Sequence, residues 1–409
     1  MEGNNPESLR MAVSTRSNGW ICLLIFSFVI SVQYVNSDPI PQPAVQSVDD
    51  IIPKTIIQNA TEKGAVCLDG SPAAYHFAPG KGEDARNWMI YLQGGGWCMS
   101  NGTYSTHDLS VESCPNRATR DMGSSLHMKP LQLKGIFGDV QAATYFYTWT
   151  RVIVRYCDGG SFAGNVDKPD PVTKLYYRGA RIFQVVVDEL MTKGLKDAKN
   201  VIFAGGSAGG LGVLVHCDRF TSLFPKGVRV KCLSDSSLFL IVKDPQHAKF
   251  FKAIFSDVVA LHQPTKALPA ECISKMSPFE CFQPKNLVQY VKSPLFIFQS
   301  EFDSFQVQNT FSMDLYKAIK ENISYVSPSD MALLQDFKQQ IVSALPQPSA
   351  TKGYILTSMF GHSFASDSYK TKLTFGDGKS KSIESQFYAW YFDKDFVNFI
   401  DPSNVPYMK

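Results

Sequence analysis

The 409-residue sequence lacks the patterns by which several large classes of protein are recognised. It has no G-x-x-x-x-G-K-[ST] phosphate loop, the usual mark of a nucleotide-binding enzyme. No two cysteines have the Cys-x-x-Cys spacing of a zinc site, and no basic run gives the footprint of a nucleic-acid-binding protein. The formal net charge is only +3. We therefore expect no metal, no cofactor and no nucleic-acid partner.

Only one stretch, near the N-terminus, is apolar enough to enter a membrane. Residues 20–32 are apolar apart from two serines, and Arg10 and Arg16 precede them. This run is short for a membrane span and has the length and flanks of a secretory signal. We predict that residues 1–37 form a signal peptide, so that the secreted protein has no stable membrane anchor after cleavage. An uncleaved signal anchor is the alternative.

Cysteine use is consistent with export. One of the nine cysteines lies in the predicted signal, and an even set of eight in an exported chain indicates four disulfides. Spacing does not fix the pairing, although Cys272 and Cys281 are close enough to suggest one pair. Three Asn-x-Ser/Thr sequons are candidate glycosylation sites on surface loops, at Asn59, Asn101 and Asn322.

The rest of the chain has no repeat, low-complexity block or change of composition that marks a second domain. Residues 38–62 contain four prolines and are predicted to be a flexible lead-in to a single domain over residues 63–409. Short apolar runs alternate with helical periodicity there, which predicts an α/β fold with a mostly parallel sheet and helices on both faces. Residues 99–150 and 236–292 lack this rhythm, and we interpret them as cap insertions over a site.

The run Gly205-Gly206-Ser207-Ala208-Gly209 matches G-x-S-x-G. The apolar residues 201–204 before it predict a buried strand, and the spacing of apolar residues over 211–220 predicts a helix. Strand, tight turn and helix in this order form the nucleophile elbow of α/β-hydrolases. Ser207 is then the predicted nucleophile, held in strained backbone with its hydroxyl pointing outward. A glycine-rich turn with a structural serine is the alternative.

A serine nucleophile needs a base, and the base needs an acid that orients it. In α/β-hydrolases the acid and then the histidine follow the serine, each after a later strand. Of the seven histidines, His362 alone has that position, after the strand predicted at 353–357. Asp303 follows the strand predicted at 294–299 and is the favoured acid. Asp235 is its rival, although its serine-rich surroundings suggest a hydrogen-bonding turn instead.

The tetrahedral intermediate of acyl transfer needs backbone N–H donors. Ala208, directly after the predicted nucleophile, supplies one. Gly95 or Gly96, in the glycine run after the strand predicted at 87–92, is expected to supply the other, since glycine lets the backbone approach the substrate closely. A plain strand-end turn is the alternative. Asp158 is another conspicuous acid, but capping of its own glycine turn accounts for it.

Several motifs along the chain carry a family resemblance, and they occur in this order: Lys-Gly-Ala-Val-Cys-Leu-Asp-Gly at 63–70, Leu-Gln-Gly-Gly-Gly-Trp-Cys at 92–98, Arg-Tyr-Cys-Asp-Gly at 155–159, Ser-Ala-Gly-Gly at 207–210 and Trp-Tyr-Phe-Asp at 390–393. Together they resemble the plant pectin acetylesterases, with the animal Notum carboxylesterases as more distant relatives. The resemblance implies a secreted cell-wall enzyme that removes acetyl groups from acetylated pectin. It also implies a catalytic triad on Ser207, Asp303 and His362. A Notum-like deacylase and a catalytically weak wall-binding protein are the alternatives.

The sequence departs from the family pattern near the predicted site. Gly206 stands where the family usually has cysteine, and Gln93 stands where it usually has glutamate. The family's histidine lies in a Cys-Phe-Ala-His-Cys run, whereas residues 359–363 here read Met-Phe-Gly-His-Ser. The family's cysteine-rich C-terminal end is absent as well. We therefore expect the loop that carries His362 to be less tethered than in the family.

Overall fold

A computed structural model of the chain describes residues 51–100, 111–138, 144–376 and 378–409. The described residues all fall within one unit, Ser47–Lys409. The predicted signal peptide, residues 1–37, and the sequon at Asn101 lie outside them. Within the described ranges, no helix has both the length and the apolar character needed to cross a membrane.

The described residues build a nine-stranded sheet, which is the centre of the fold. Its strands in chain order are β1 Lys54–Ile56, β2 Ala74–Ala78, β3 Asn87–Leu92, β4 Thr150–Val154, β5 Asn200–Gly206, β6 Arg229–Asp235, β7 Leu295–Ser300, β8 Lys352–Thr357 and β9 Asn398–Ile400. Their order across the sheet is β9-β8-β7-β6-β5-β3-β4-β2-β1. The pairs from β9 to β4 are parallel, and β4 with β2 and β2 with β1 are antiparallel. The predicted mostly parallel α/β sheet is confirmed.

Helices cover both faces of this sheet. Those among the described residues are α1 Cys114–Ala118, α2 Gly179–Thr192, α3 Ala208–Thr221, α4 Lys249–His262, α5 Ala270–Ile273, α6 Pro278–Phe282, α7 Pro284–Leu287, α8 Ser304–Thr310, α9 Met313–Glu321, α10 Pro328–Ser343, α11 Phe364–Asp367 and α12 Ile383–Tyr391. Successive strand side chains point to opposite faces. Ile90 and Phe203 therefore pack with α2, α3, α4 and α10, whereas Met89 and Ile202 pack with α12.

The two predicted insertions contain short elements that pack next to the end of β3. In the first, Trp97–Met99 pairs with Val111–Ser113 and α1 follows. The second contains α4 to α7, and Phe255 of α4 contacts the buried ring of Trp97 with 5.5 Å between ring centroids. Two further small ladders complete the strands: Ile51–Ile52 with Leu131–Gln132, and Lys372–Thr374 with Ser380–Ser382.

The packed domain starts earlier in the chain than its composition predicts. Residues 51–62 belong to the predicted flexible lead-in, but β1 pairs with β2 at the sheet edge. Ile57 and Ala60 are buried in the core. Proline is compatible with the start of an edge strand, because no partner there needs its missing N–H. Pro53, directly before β1, therefore does not mark a mobile segment.

Four disulfides join the eight cysteines outside the predicted signal: Cys67–Cys157, Cys98–Cys114, Cys217–Cys232 and Cys272–Cys281. The predicted number is confirmed, and so is the suggested pair Cys272–Cys281. Cys217 lies on α3 and Cys232 on β6, so their bond ties the elbow helix to the sheet. Such a disulfide content is typical of proteins in oxidising compartments.

Candidate active site

The carboxyl ends of β3 and β5 meet where the order of strands across the sheet reverses. The strand that follows β3 in the chain, β4, lies on one side of it, and β5 lies on the other. In open α/β sheets, ligands bind in the crevice outside the carboxyl ends at such a point. Here β3 runs into the glycine run at 94–96, and β5 runs into Ser207. Both predicted site segments therefore lie at one edge of the sheet.

Ser207 lies in strained backbone between β5 and α3. Its φ is 55° and its ψ is −127°, a combination that residues with a side chain rarely adopt. Glycine is required on both sides: a Cβ on Gly205 would lie 2.4 Å from the carbonyl oxygen of Gly209, and a Cβ on Gly209 would lie 2.1 Å from that of Leu92. The Ser207 N–H donates to the carbonyl of Asp235 at 2.8 Å. This backbone has the geometry of a nucleophile elbow.

The two other predicted triad residues are hydrogen-bonded to each other. The distance between His362 Nδ1 and Asp303 Oδ2 is 2.7 Å. Asp303 is fully buried, whereas 19% of the His362 side chain is exposed. Two further donors fix the carboxylate: the Gln306 N–H at 3.0 Å to Oδ1 and the Gln299 amide at 3.3 Å to Oδ2. Asp303 thus has the contacts of an acid that orients an imidazole.

A cavity of about 330 Å³ brings these groups together. Ser207 and His362 both line it, as do the three glycines of the run at 94–96. Tyr91 and Phe305 are the large side chains in its wall. A Cβ on Gly94 would lie 2.8 Å from the Cβ of Ser207, so the glycine run passes directly beside the elbow.

The glycine run adopts a conformation that glycine alone accepts readily. Gly95 and Gly96 have φ values of 148° and 64°. The carbonyl of Gly95 accepts a hydrogen bond from the buried guanidinium of Arg117, and the carbonyl of Gly96 accepts one from the Tyr156 hydroxyl at 2.8 Å. Because a trans peptide is planar, fixing the Gly95 carbonyl also fixes the direction of the Gly96 N–H.

The comparison with known proteins identifies the family to which this site belongs. The pectinacetylesterase family model matches residues 45–409. The chain belongs to this family. It is 40% identical to Pectin acetylesterase 7 of Arabidopsis thaliana, over 76% of this chain and 80% of that protein. It is 36% identical to Pectin acetylesterase 11 of the same plant, over 87% and 91%.

A solved structure has the same fold as this pectinacetylesterase-family chain. The Wnt deacylase Notum from Drosophila aligns with a TM-score of 0.70 at 22% identity, over 87% of this chain and 97% of that chain. The predicted α/β-hydrolase-like fold and the family resemblance are both confirmed. Membership of the family makes the protein a carboxylic ester hydrolase.

In this family member, hydrogen bonds hold the chain directly after His362. Asp235, the rival acid, is fully buried and accepts from the N–H groups of Phe364 at 3.1 Å and Ala365 at 2.8 Å. The hydroxyl of Ser236 accepts from the Ser363 N–H at 2.9 Å. The structure therefore tethers this loop without the cysteines of the family pattern. Asp235 also accepts from the hydroxyl of Ser236 in its own turn at 2.9 Å, as its serine-rich surroundings suggested, but its two backbone partners lie about 130 residues away.

The other histidines of the described residues have contacts outside this cavity. His216 is buried on α3 and its Nε2 donates to the carbonyl of Phe162 at 2.8 Å, consistent with its predicted orientation away from the site. His262 packs against Gly160 in the core, and burial lowers its pKa to about 3. Asp158 accepts the N–H groups of Gly160 and Phe162, which is the capping role predicted for it.

Sequence reasoning missed the residues that support the site from behind. Arg117 and Tyr156 orient the glycine run, and Asp235 with Ser236 holds the histidine loop. Asp235 carried a usable signal. It is the last residue of β6, which is parallel to its neighbour β5, so it lies at the same edge of the sheet as Ser207. Arg117 carried none, because it lies in an insertion without regular periodicity.

Proposed function

We propose that the protein removes acetyl groups from pectin through a serine acyl-enzyme, with Ser207, His362 and Asp303 as the triad. The observation that carries this proposal is the 2.7 Å bond between His362 and Asp303 at the wall of the cavity that also contains Ser207 in its strained turn. Ester hydrolysis follows from family membership, and the two Arabidopsis relatives are named as pectin acetylesterases.

Acylation starts with attack of the Ser207 oxygen on the acetyl carbonyl carbon. Nδ1 of His362 is held by Asp303, so Nε2 takes the serine proton. The negative charge moves to the carbonyl oxygen, where the N–H groups of Ala208 and of Gly95 or Gly96 stabilise it. The carbon–oxygen bond to the sugar then breaks, and His362 returns the proton to the departing sugar hydroxyl.

Deacylation repeats these steps with water. His362 removes a proton from the water molecule as its oxygen attacks the acetyl carbonyl. The second tetrahedral intermediate uses the same N–H donors. Its collapse breaks the bond to Ser207, returns the proton to the serine oxygen and releases acetate. No step uses a metal or a cofactor.

The cavity favours a short acyl group over a long one. Its volume is about 330 Å³, near the lower end of the range of about 300–1,000 Å³ for ligand pockets. Glycines and polar residues form most of its wall, and Tyr91 and Phe305 are the large rings. A Notum-like deacylase would need a longer apolar channel. Hydrolysis of aryl esters of increasing chain length separates the two: acetate is expected to be the best substrate, and a preference for eight or more carbons contradicts the acetyl assignment.

We also propose export to the cell wall, where pectin is found. Residues 1–37 have the composition of a signal peptide, and four disulfides suit an oxidising compartment. Asn59 and Asn322 are exposed, as glycan acceptors must be. N-terminal sequencing and glycosidase treatment of the secreted protein test these points. A mature N-terminus before residue 30 or an unglycosylated product would contradict them.

The proposed nucleophile is tested by Ser207→Ala. We expect loss of acetate release from acetylated pectin and loss of labelling by a fluorophosphonate probe, which reacts with activated serines. The matched control is Ser222→Ala, which removes an exposed hydroxyl at the end of α3. Retained turnover in Ser207→Ala removes Ser207 from its role. A wild-type protein that neither labels nor releases acetate would instead be the catalytically weak wall-binding protein.

A further inference from the structure

A second cavity adjoins the catalytic one and has a different character. Its volume is about 600 Å³, and Gln93 lines both cavities. Arg120, His127, Lys129 and Arg155 line it, and we call it the basic cleft after these four residues. Among the described residues, no lysine or arginine lines the catalytic cavity, so the cationic groups of the region are concentrated in the basic cleft.

The charges in the basic cleft are only partly neutralised by protein carboxylates. Asp121 lies in its wall and pairs with Arg155 at 3.0 Å. Glu112 pairs with Arg120 from outside the wall. Lys129 is exposed, and no ion pair is found for it among the described residues. Arg120, Lys129 and Arg155 therefore provide three permanent positive charges against two carboxylates.

The basic cleft is attached rigidly to the glycine run. Three of its four basic residues follow α1, which the disulfide Cys98–Cys114 ties to the strand after the glycine run, and Arg155 directly follows β4. Arg117 of the same segment holds the Gly95 carbonyl, and the Met122 sulfur lies where a Cβ on Gly95 would be. A ligand group bound in the basic cleft therefore has a fixed position relative to the proposed oxyanion donors.

Gln93 forms the boundary between the two cavities without adding a charge. Its Oε1 accepts from the Tyr156 N–H at 3.2 Å, which holds the side chain in place. Because the amide is neutral, it does not repel an anion that extends from the catalytic cavity into the basic cleft. A carboxylate at this position would face the same anion at short range.

We infer that the basic cleft is an anionic-sugar subsite, which binds the carboxylate of a galacturonate unit near the acetylated unit in the catalytic cavity. The identity of the substrate in this inference rests on the proposed function. The charge and the position of the basic cleft are properties of the described residues. Arginine and lysine form strong charge-assisted hydrogen bonds with carboxylates. The subsite distinguishes an acidic polymer from a neutral acetylated polysaccharide, and a free galacturonate carboxylate from its methyl ester.

The direct test measures binding of acetyl-free oligogalacturonate to the purified full protein by calorimetry. Lys129→Gln removes an exposed charge, and an exposed charge pair contributes up to about 1 kcal/mol, so we expect Kd to rise about three- to fivefold. The matched control Lys226→Gln, exposed after α3, keeps the wild-type Kd. Raised salt weakens binding to wild type, because the charge of Lys129 is exposed to solvent. Equal Kd values for wild type and Lys129→Gln, or no binding at all, overturn the inference whether or not the enzyme cleaves pectin.

A kinetic arm connects the basic cleft to catalysis. Acetate release is compared for acetylated oligogalacturonate and its fully methyl-esterified form. We expect kcat/KM to be higher for the free acid in wild type, and Lys129→Gln to reduce this preference. Oligogalacturonate also competes with a neutral aryl acetate, since the two cavities share Gln93. An unchanged preference in Lys129→Gln contradicts the subsite, whereas a wild type that binds the oligomer but cleaves neither ester contradicts only the proposed function.

Discussion

Two loops that line the catalytic cavity are held in place by different means. The glycine run at 94–96 is followed by the buried Trp97 and by Cys98, whose disulfide to Cys114 lies beside it. The histidine loop, residues 359–363, has no cysteine and is held by hydrogen bonds to Asp235 and Ser236. The glycine run therefore has a disulfide beside it in addition to the hydrogen bonds from Arg117 and Tyr156, whereas the histidine loop is held without one.

The difference shows that a disulfide and a buried carboxylate can do similar positioning work but respond to different conditions. A disulfide acts largely by restricting the unfolded chain and is unaffected by mild changes of pH. Asp235 accepts two backbone N–H groups in the folded state, and its burial raises the pKa of its carboxyl to about 6. The support of the histidine loop is thus sensitive to pH.

We expect the largest loss of kcat from a substitution that removes the hydrogen bonds supporting the glycine run. Lysine in Arg117→Lys cannot bond the carbonyls of Gly95 and Met122 together, as the planar guanidinium does. The Gly96 N–H then loses its fixed direction, and loss of one oxyanion donor costs about 10²–10³ in kcat. KM for an aryl acetate should change little, because the hydrogen bond from the Gly96 N–H to the substrate oxygen strengthens only in the transition state. An unchanged kcat in a protein that melts normally would show that Arg117 does not position the donor.

The next largest effect is expected from Asp235→Asn in the histidine loop. Asparagine keeps one acceptor oxygen but turns an N–H donor toward the second backbone N–H, so the loop shifts. A displacement of about 1 Å at a catalytic group costs roughly 10² in rate. The control is Asp218→Asn, which alters an acid that also accepts backbone N–H groups, those of Lys292 and Ser293, outside the cavity wall. If both variants lose kcat to a similar extent, the loss in Asp235→Asn reflects a general disturbance of folding and not the position of the histidine loop.

The pH dependence of stability provides a third comparison. The pKa of Asp235 is raised from 3.8 to about 6 by burial, so the folded protein holds this proton more tightly than the unfolded chain does. The resulting stabilisation is complete below about pH 4 and is lost as the pH rises through 6. The free energy of unfolding of wild type relative to Asp235→Asn should therefore be larger at pH 4 than at pH 7, by on the order of 2–3 kcal/mol.

Urea unfolding at the two pH values measures this difference. Burial also raises the pKa of Asp158 to about 6, but Asp158 titrates in both proteins and cancels in the comparison. A difference that is the same at pH 4 and pH 7 would show that Asp235 has no raised pKa in the folded protein.

The smallest effect is expected from Ser236→Ala. It removes the acceptor for the Ser363 N–H and a donor to Asp235, but the two backbone bonds from Phe364 and Ala365 remain. Two hydrogen bonds of on the order of 1 kcal/mol each are lost, which corresponds to a fall in kcat of about thirtyfold at most. Kinetics with an aryl acetate measure it. A loss as large as that of Asp235→Asn would mean that the serine, not the aspartate, is the main anchor of the loop.

Local patterns predicted the elements that carry the site, but not β1 and β2 at the antiparallel edge of the sheet. The apolar run at 87–92 coincides with β3, and the elbow pattern located β5 and α3 within three residues at each end. β2, Ala74–Ala78, escaped notice because it contains His76, a polar residue in a short run. Its burial depends on partners that are distant in sequence: the Ile52 carbonyl accepts from His76 Nδ1 at 2.9 Å.

The amino-acid sequence alone determined the fold class, the elbow and the order of Ser207, Asp303 and His362, because periodicity, glycine spacing and chain order are local properties. Only the tertiary structure decided that Asp303 rather than Asp235 contacts the imidazole. It also assigned Asp235 to the backbone after His362 and Arg117 to the glycine run. These pairings join residues that are far apart in the chain. They form because a buried charged group must be hydrogen-bonded, and these groups become buried only when the surrounding core has folded.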